Sequence, residues 1–211
     1  MNKNKMEKSI RKICYLALFC AIAIILSYIE TLIPFYVGIP GAKIGLANVV
    51  SLTLLLCFGF KEALVVTLLR IMIVAMVFTN LYMFLYSLVG GILSLLMMLL
   101  FKKTRLFSNI IVSMIGGIFH NVGQLLVAMY FFSSTVFMYY LPYLLIFGVL
   151  SGIGIGILSE IIYTKIGQRI IKMKWGKKIF IIQKLETIHL SSSQKEVAQY
   201  ILDKKLEIEK L

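Results

Sequence analysis

Apolar runs fill residues 13–33, 46–60, 63–80, 81–101, 108–131 and 138–163, with only short polar breaks between them. A helix needs about 17–25 residues to cross the hydrocarbon core of a bilayer, so each run reads as a crossing, the second being marginal. Backbone polar groups inside lipid must be satisfied within the segment or in a closed barrel, and runs of this length favour helices. Composition agrees, with 60% hydrophobic and 15% charged residues, where soluble domains have roughly 45–50% and about 25%. The expected fold class is therefore all-α, a polytopic membrane protein with six transmembrane helices. The basic start followed by an apolar run resembles a signal peptide. The run is long, however, and no small-residue cleavage site precedes a soluble domain, so a retained first helix is expected.

The placement of charge says more than the net value of +13. Six crossings put both termini on one side. That side receives Lys3, Lys5, Lys8, Arg11 and Lys12, then Lys61, then Lys102, Lys103 and Arg105, and finally Lys165, Arg169, Lys172, Lys174, Lys177 and Lys178. The opposite side has Lys43 alone. An excess of Lys and Arg marks cytoplasmic loops, so a cell-membrane protein with cytoplasmic N- and C-termini is expected. The basic residues contact lipid headgroups, and no nucleic-acid partner is implied. Residues 1–164 form the expected six-helix transmembrane domain, and residues 165–211 a basic amphipathic cytoplasmic tail. Within the tail, "TKIGQRIIKMKWGKKIF" has apolar positions at helical spacing and Trp175 as an interfacial anchor. Ser193 stands three residues before Glu196, the spacing of a capping box.

Several polar side chains lie deep in the apolar runs. In "MIGGIFHNVGQLLVAMYFF", His120 and Gln124 are four apart and share a helix face with Gly116, and Asn121 is adjacent to that face. Arg70 falls near the middle of the third run. Lys43 and Asn48 flank the start of the second, where "PFYVGIPGAKIGLAN" brings two of the three prolines. Glu30 lies near the outer end of the first run and Glu160 near the cytoplasmic end of the sixth. Such residues either tie helices together, at about 0.6 kcal/mol for each hydrogen bond, or mark a ligand pathway. Arg70 has Glu62 and Glu160 as candidate structural partners. As a set, Lys43, Asn48, Arg70, His120, Asn121 and Gln124 are the candidate substrate-binding residues. Most fall in the middle or outer half of the bundle and can converge on one outward-opening pocket. A helix N-terminus after Gly45 adds a positive dipole end, and the pocket favours an anionic or phosphate-bearing small molecule.

Cys14, Cys20 and Cys57 lie in apolar runs without metal-ligand spacing, so neither a metal nor another cofactor is expected. Gly148, Gly152 and Gly156 form one smooth stripe for packing inside the bundle, with Gly154 off it. Ala17 and Ala21 make an AxxxA pair on the first helix.

The blocks "GIPGAKIGLANVVSLTLLLCFGFKEALVVTLLRI", "FLYSLVGGILSLLMM", "SMIGGIFHNVGQLLVAMYF" and "YYLPYLLIFGVLSGIGIG" together resemble the Gx transporter family, whose members are often labelled heptaprenyl diphosphate synthase component I. The resemblance covers about residues 10–165. That family is grouped with the substrate-binding S components of energy-coupling factor transporters, which have six helices and cytoplasmic termini. The resemblance thus implies an S-component-like bundle, with Ala17 and Ala21 docking a transmembrane coupling subunit and the first outer loop, with Lys43, gating the pocket.

The synthase label fits the residues poorly. A prenyl diphosphate synthase of the usual kind holds Mg²⁺ with clustered aspartates, because a hard cation needs several carboxylate oxygens. This chain has one aspartate, Asp203, in the tail. An enzyme is therefore not expected. The chain also lacks a GxxxxGK[ST] phosphate loop, so ATP hydrolysis would belong to partner subunits. The expected function is substrate capture for ATP-driven transport. The alternative is a non-catalytic membrane accessory for prenyl-lipid or quinone biosynthesis. A stand-alone secondary carrier would need more buried carboxylates than the runs contain.

Overall fold

The computed structural model describes residues 3–32, 44–78 and 80–167. Six α-helices follow one another: α1 (Lys3–Leu32), α2 (Asn48–Cys57), α3 (Phe60–Phe78), α4 (Leu81–Thr104), α5 (Asn109–Phe132) and α6 (Leu141–Ile162). A 3-10 turn (Thr135–Tyr140) leads into α6 and a π-helical turn (Tyr163–Gly167) ends it. No strand occurs among the described residues. Lys43 and the tail from residue 168 onward lie outside them, as does the expected capping box at Ser193.

Among the described residues, four stretches are long and apolar enough to cross a membrane: Ser9–Leu32, Leu81–Thr104, Asn109–Phe132 and Thr135–Gly167. Helix α3 has 19 residues, about 28 Å at 1.5 Å per residue, but Lys61, Glu62 and Arg70 interrupt its apolar character. The second run yields a helix of only 10 residues, about 15 Å long and half the thickness of the hydrocarbon core. Gly59, at φ 111°, ends it early. The backbone N–H groups of Phe58 and Gly59 both turn back to the Leu54 carbonyl, and α3 starts at once.

The arrangement of polarity is that of a membrane protein. Large apolar side chains face outward, among them Met76 at 83% and Tyr130 at 81% exposure. Hydroxyl, amide and charged side chains sit inside, including Ser27, Glu30, Thr67, Arg70, Ser94, His120 and Gln124. Lipid removes the hydrophobic drive between helices, so close packing and interhelical hydrogen bonds hold such a bundle together.

Helix α2 shows this clearly. Nine of its 10 residues are buried, and three neighbouring helices bond to it. Ser51 meets Thr67 of α3 at 2.9 Å. Ser159 of α6 donates to the Val49 carbonyl at 3.1 Å. Lys102 of α4 donates to the Leu55 carbonyl at 2.6 Å, capping the helix C-terminus with a cation.

Helices α5 and α6 make the most extensive contact, and α4 lies against the other side of α5. The Gly148, Gly152 and Gly156 stripe faces α5, while Gly154 meets nothing within 4 Å. The two ends of the bundle differ. At one, Tyr82 meets Phe131 edge-on at 5.4 Å, Phe132 lies 5.4 Å from Phe137, and Tyr28 lies 4.5 Å from Phe78. At the other, Lys12 pairs with Glu62 at 2.5 Å, and Asn109 donates to Glu160 at 2.6 Å.

Candidate functional site

A buried polar cavity lies in the half of the bundle nearer the aromatic end. Ser27 and Glu30 from α1, Gly45 before α2, Arg70 from α3, Ser87 from α4 and His120 from α5 line it, with Ile71, Val74, Ala75 and Phe84 as its apolar walls. The first cause is the spacing on α1. Phe19, Ala23, Ser27 and Glu30 recur every three or four residues and are buried together. Ala17, Ala21, Leu18 and Ile25 on the opposite face are exposed.

The second cause is room made by glycine. In "LVGG", Gly90 lets the His120 ring in: a Cβ there would lie 2.8 Å from the His120 carbonyl oxygen and 3.0 Å from its ring. At Gly91 a Cβ would press on Ile71 at 3.2 Å and meet an Arg70 guanidinium nitrogen at an ordinary 3.8 Å.

Arg70 is 5% exposed, and its Nη1 donates to the Ser27 hydroxyl at 2.8 Å. The carboxylate sharing its cavity is Glu30. Glu62 and Glu160, the carboxylates expected as partners for Arg70, are held instead by Lys12 and Asn109 at the basic end.

Glu30 has a second role. Its Oε1 accepts from the backbone N–H of Gly45, and from that of Leu46 at 3.2 Å. The amides leading into α2, expected to face a ligand anion, therefore face the protein's own carboxylate. Gly45 is at φ 88°, a conformation that favours glycine, and a Cβ there would press on Asn48 Nδ2 at 2.8 Å and His120 Nε2 at 3.3 Å.

The candidate residues divide accordingly. Arg70 and His120 line the cavity, and Asn48 lies beside it against Gly45. Gln124, fully buried, holds the His120 ring through a 3.0 Å contact between its Nε2 and the imidazole Nε2. With the amide donating, the imidazole nitrogen accepts, which leaves the ring proton on Nδ1. Asn121 turns the other way and donates to the Leu144 carbonyl of α6 at 2.8 Å. Lys43 is outside the described residues. Ser27, Glu30 and Ser87 were not among the candidates from sequence. A carboxylate within an apolar run was the available signal for Glu30.

Because Asn121 serves a helix contact, Asn121→Ala is expected to cost about 0.6 kcal/mol, up to about 1.7. Unfolding in detergent checks this.

The open space among the cavity groups is on the scale of a single water molecule. Carboxylates do not cluster around it, and among the described residues no group of three His, Cys, Asp or Glu is placed to hold a metal. Fold and site together define an all-helical membrane protein with a small, charge-bearing polar cavity inside its bundle. Residues 19–162 match the family model described as heptaprenyl diphosphate synthase component I, and the chain belongs to that family. No curated protein and no solved structure matches it.

Proposed function

We propose that the chain is a substrate-binding membrane subunit resembling an energy-coupling factor S component, and not an enzyme. It takes a small anionic or phosphorylated molecule for ATP-driven transport by partner subunits. The observation that carries the reading is convergence. Four helices and the lead into α2 bring a guanidinium, a carboxylate, an imidazole and two hydroxyls to one buried cavity. Charged groups at membrane depth usually serve a ligand or ion path. A water-sized space admits a substrate only if it widens, and by the resemblance to S components the residues between α1 and α2, with Lys43, would gate it. In this reading the chain crosses the membrane six times, with cytoplasmic termini and the aromatic end outward. Ala17 and Ala21, exposed on α1, dock the transmembrane coupling subunit, which works with the ATPases of the module.

The family description favours a second reading, a non-catalytic accessory that positions prenyl-lipid or quinone-synthesis enzymes at the membrane. Affinity purification from native membranes separates the two. The transport reading expects a coupling subunit and ATPases with the wild type, lost in Ala17→Leu/Ala21→Leu while the bundle stays folded. Recovery of prenyl-lipid enzymes, unchanged in that variant, would favour the accessory.

A further inference from the structure

Around Gly45 there are more hydrogen-bond donors than the described residues supply acceptors for. The Gly45 and Leu46 amides lie on the Glu30 carboxylate. Two further donors close by have no partner among the described residues, Arg70 Nε and Asn48 Nδ2. Both residues are more than nine-tenths buried, at 5% and 3% exposure. A buried donor without an acceptor loses its hydration with nothing in return, so such groups call for an explanation. An acceptor-rich anion at this place would supply several lone pairs at once. Amides preceding a helix, a guanidinium and a carboxamide are the usual donors to such a group.

Resting on the substrate-binding reading above, we propose that Glu30 is an internal stand-in for the ligand's anionic group. In the ligand-free protein its carboxylate occupies the Gly45 and Leu46 amides and balances Arg70. A carboxylate or phosphate on the ligand takes over those amides, adds bonds to Arg70 Nε and Asn48 Nδ2, and releases Glu30. The link between the end of α1 and the start of α2 then passes through the ligand instead of directly. Glu30 therefore opposes binding, although it lies in the site.

The test uses the full chain in detergent, with inorganic phosphate as probe and chloride at equal ionic strength as control. Thermal stabilisation is measured for wild type, Glu30→Gln and Glu30→Asp, each against its own phosphate-free midpoint. Glu30→Gln removes the competing charge and is expected to respond to roughly tenfold less phosphate, equivalent to about 1.4 kcal/mol. Glu30→Asp keeps the charge but shortens its reach, and should fall between the other two. It also keeps the test decisive if Glu30→Gln folds poorly.

A phosphate response weakened by either substitution would show that Glu30 helps to hold the anion, and would overturn the proposal. So would no response in any of the three proteins. In both cases the transport reading stands or falls separately, on the proteins and the molecule that co-purify with the chain. Repeating the titration in phosphatidylcholine vesicles, with and without phosphatidylglycerol, separates sources of the anion. A phosphate effect in phosphatidylcholine alone supports a free small molecule. An equal effect of phosphatidylglycerol without phosphate supports the same displacement by a lipid headgroup.

Discussion

Gly152→Leu is expected to force α6 away from α5 and to destabilise the bundle by about 3 kcal/mol or more, the upper end of the range for overpacking. A Cβ at this position would lie 2.5 Å from Met114 Cα and 2.9 Å from the Ser113 carbonyl oxygen. Both obstacles are backbone, so no rotamer change relieves them and a whole helix has to move. The loss extends beyond the one contact. The same interface carries the Asn121 bond to Leu144 and the Asn109 bond to Glu160. His120 lies on the α5 that would shift. Gly154→Leu is the matched control, because nothing lies within 4 Å of its Cβ position. Unfolding midpoints of the two variants in one detergent check the claim, and equal midpoints would contradict it.

Arg70→Met is expected to cost about 1–3 kcal/mol or more, because it removes a buried cation that donates to Ser27 and shares its cavity with Glu30. The change leaves the Ser27 hydroxyl without its 2.8 Å donor. It also leaves the Glu30 carboxylate without the cation that shares its cavity. Two contributions are thus lost together, and a double-mutant cycle separates them. Arg70→Met combined with Glu30→Gln removes both charges, while glutamine keeps an oxygen for the Gly45 and Leu46 amides. The double variant should therefore be more stable than Arg70→Met alone, with a coupling of about 0.5–3 kcal/mol. Additive losses, measured by the same unfolding assay, would mean that the two charges do not depend on each other.

Much of this fold was legible because lipid demands a simple pattern of its solvent-facing residues. Long apolar runs located α1, α3, α4, α5 and α6. The i, i+4 rule put His120 and Gln124 on one face, where they meet at 3.0 Å. The smooth Gly148, Gly152 and Gly156 stripe packs inside the bundle, as its spacing predicts.

Elsewhere hydropathy reported the membrane and not the helix. Helix α1 begins at Lys3, well before the apolar run that starts at residue 13, because a polar stretch can be helical without being hydrophobic. Helix α2 ends at Cys57, as the glycine that closes it leaves little trace in an average over apolar residues.

The site was only half legible for a different reason. One step along α5 is a turn of about 100°, so Asn121 faces α6 while His120 faces the cavity. Which carboxylate shares a cavity with Arg70 depends on how α1 lies against α3. Glu30 and Arg70 are 40 positions apart, and no local rule links them. The amides after Ile44 read as an open anion site in sequence, because the carboxylate that fills them comes from another helix.

We propose that the cavity between α1, α3, α4 and α5 binds a small molecule. Native mass spectrometry of the protein purified from its own membranes tests it most directly, on wild type and on Arg70→Ala and His120→Ala. A small anionic adduct is expected on the wild type, removed by both substitutions while the chain remains folded. The same adduct retained at equal occupancy by both folded variants would place the ligand outside this cavity.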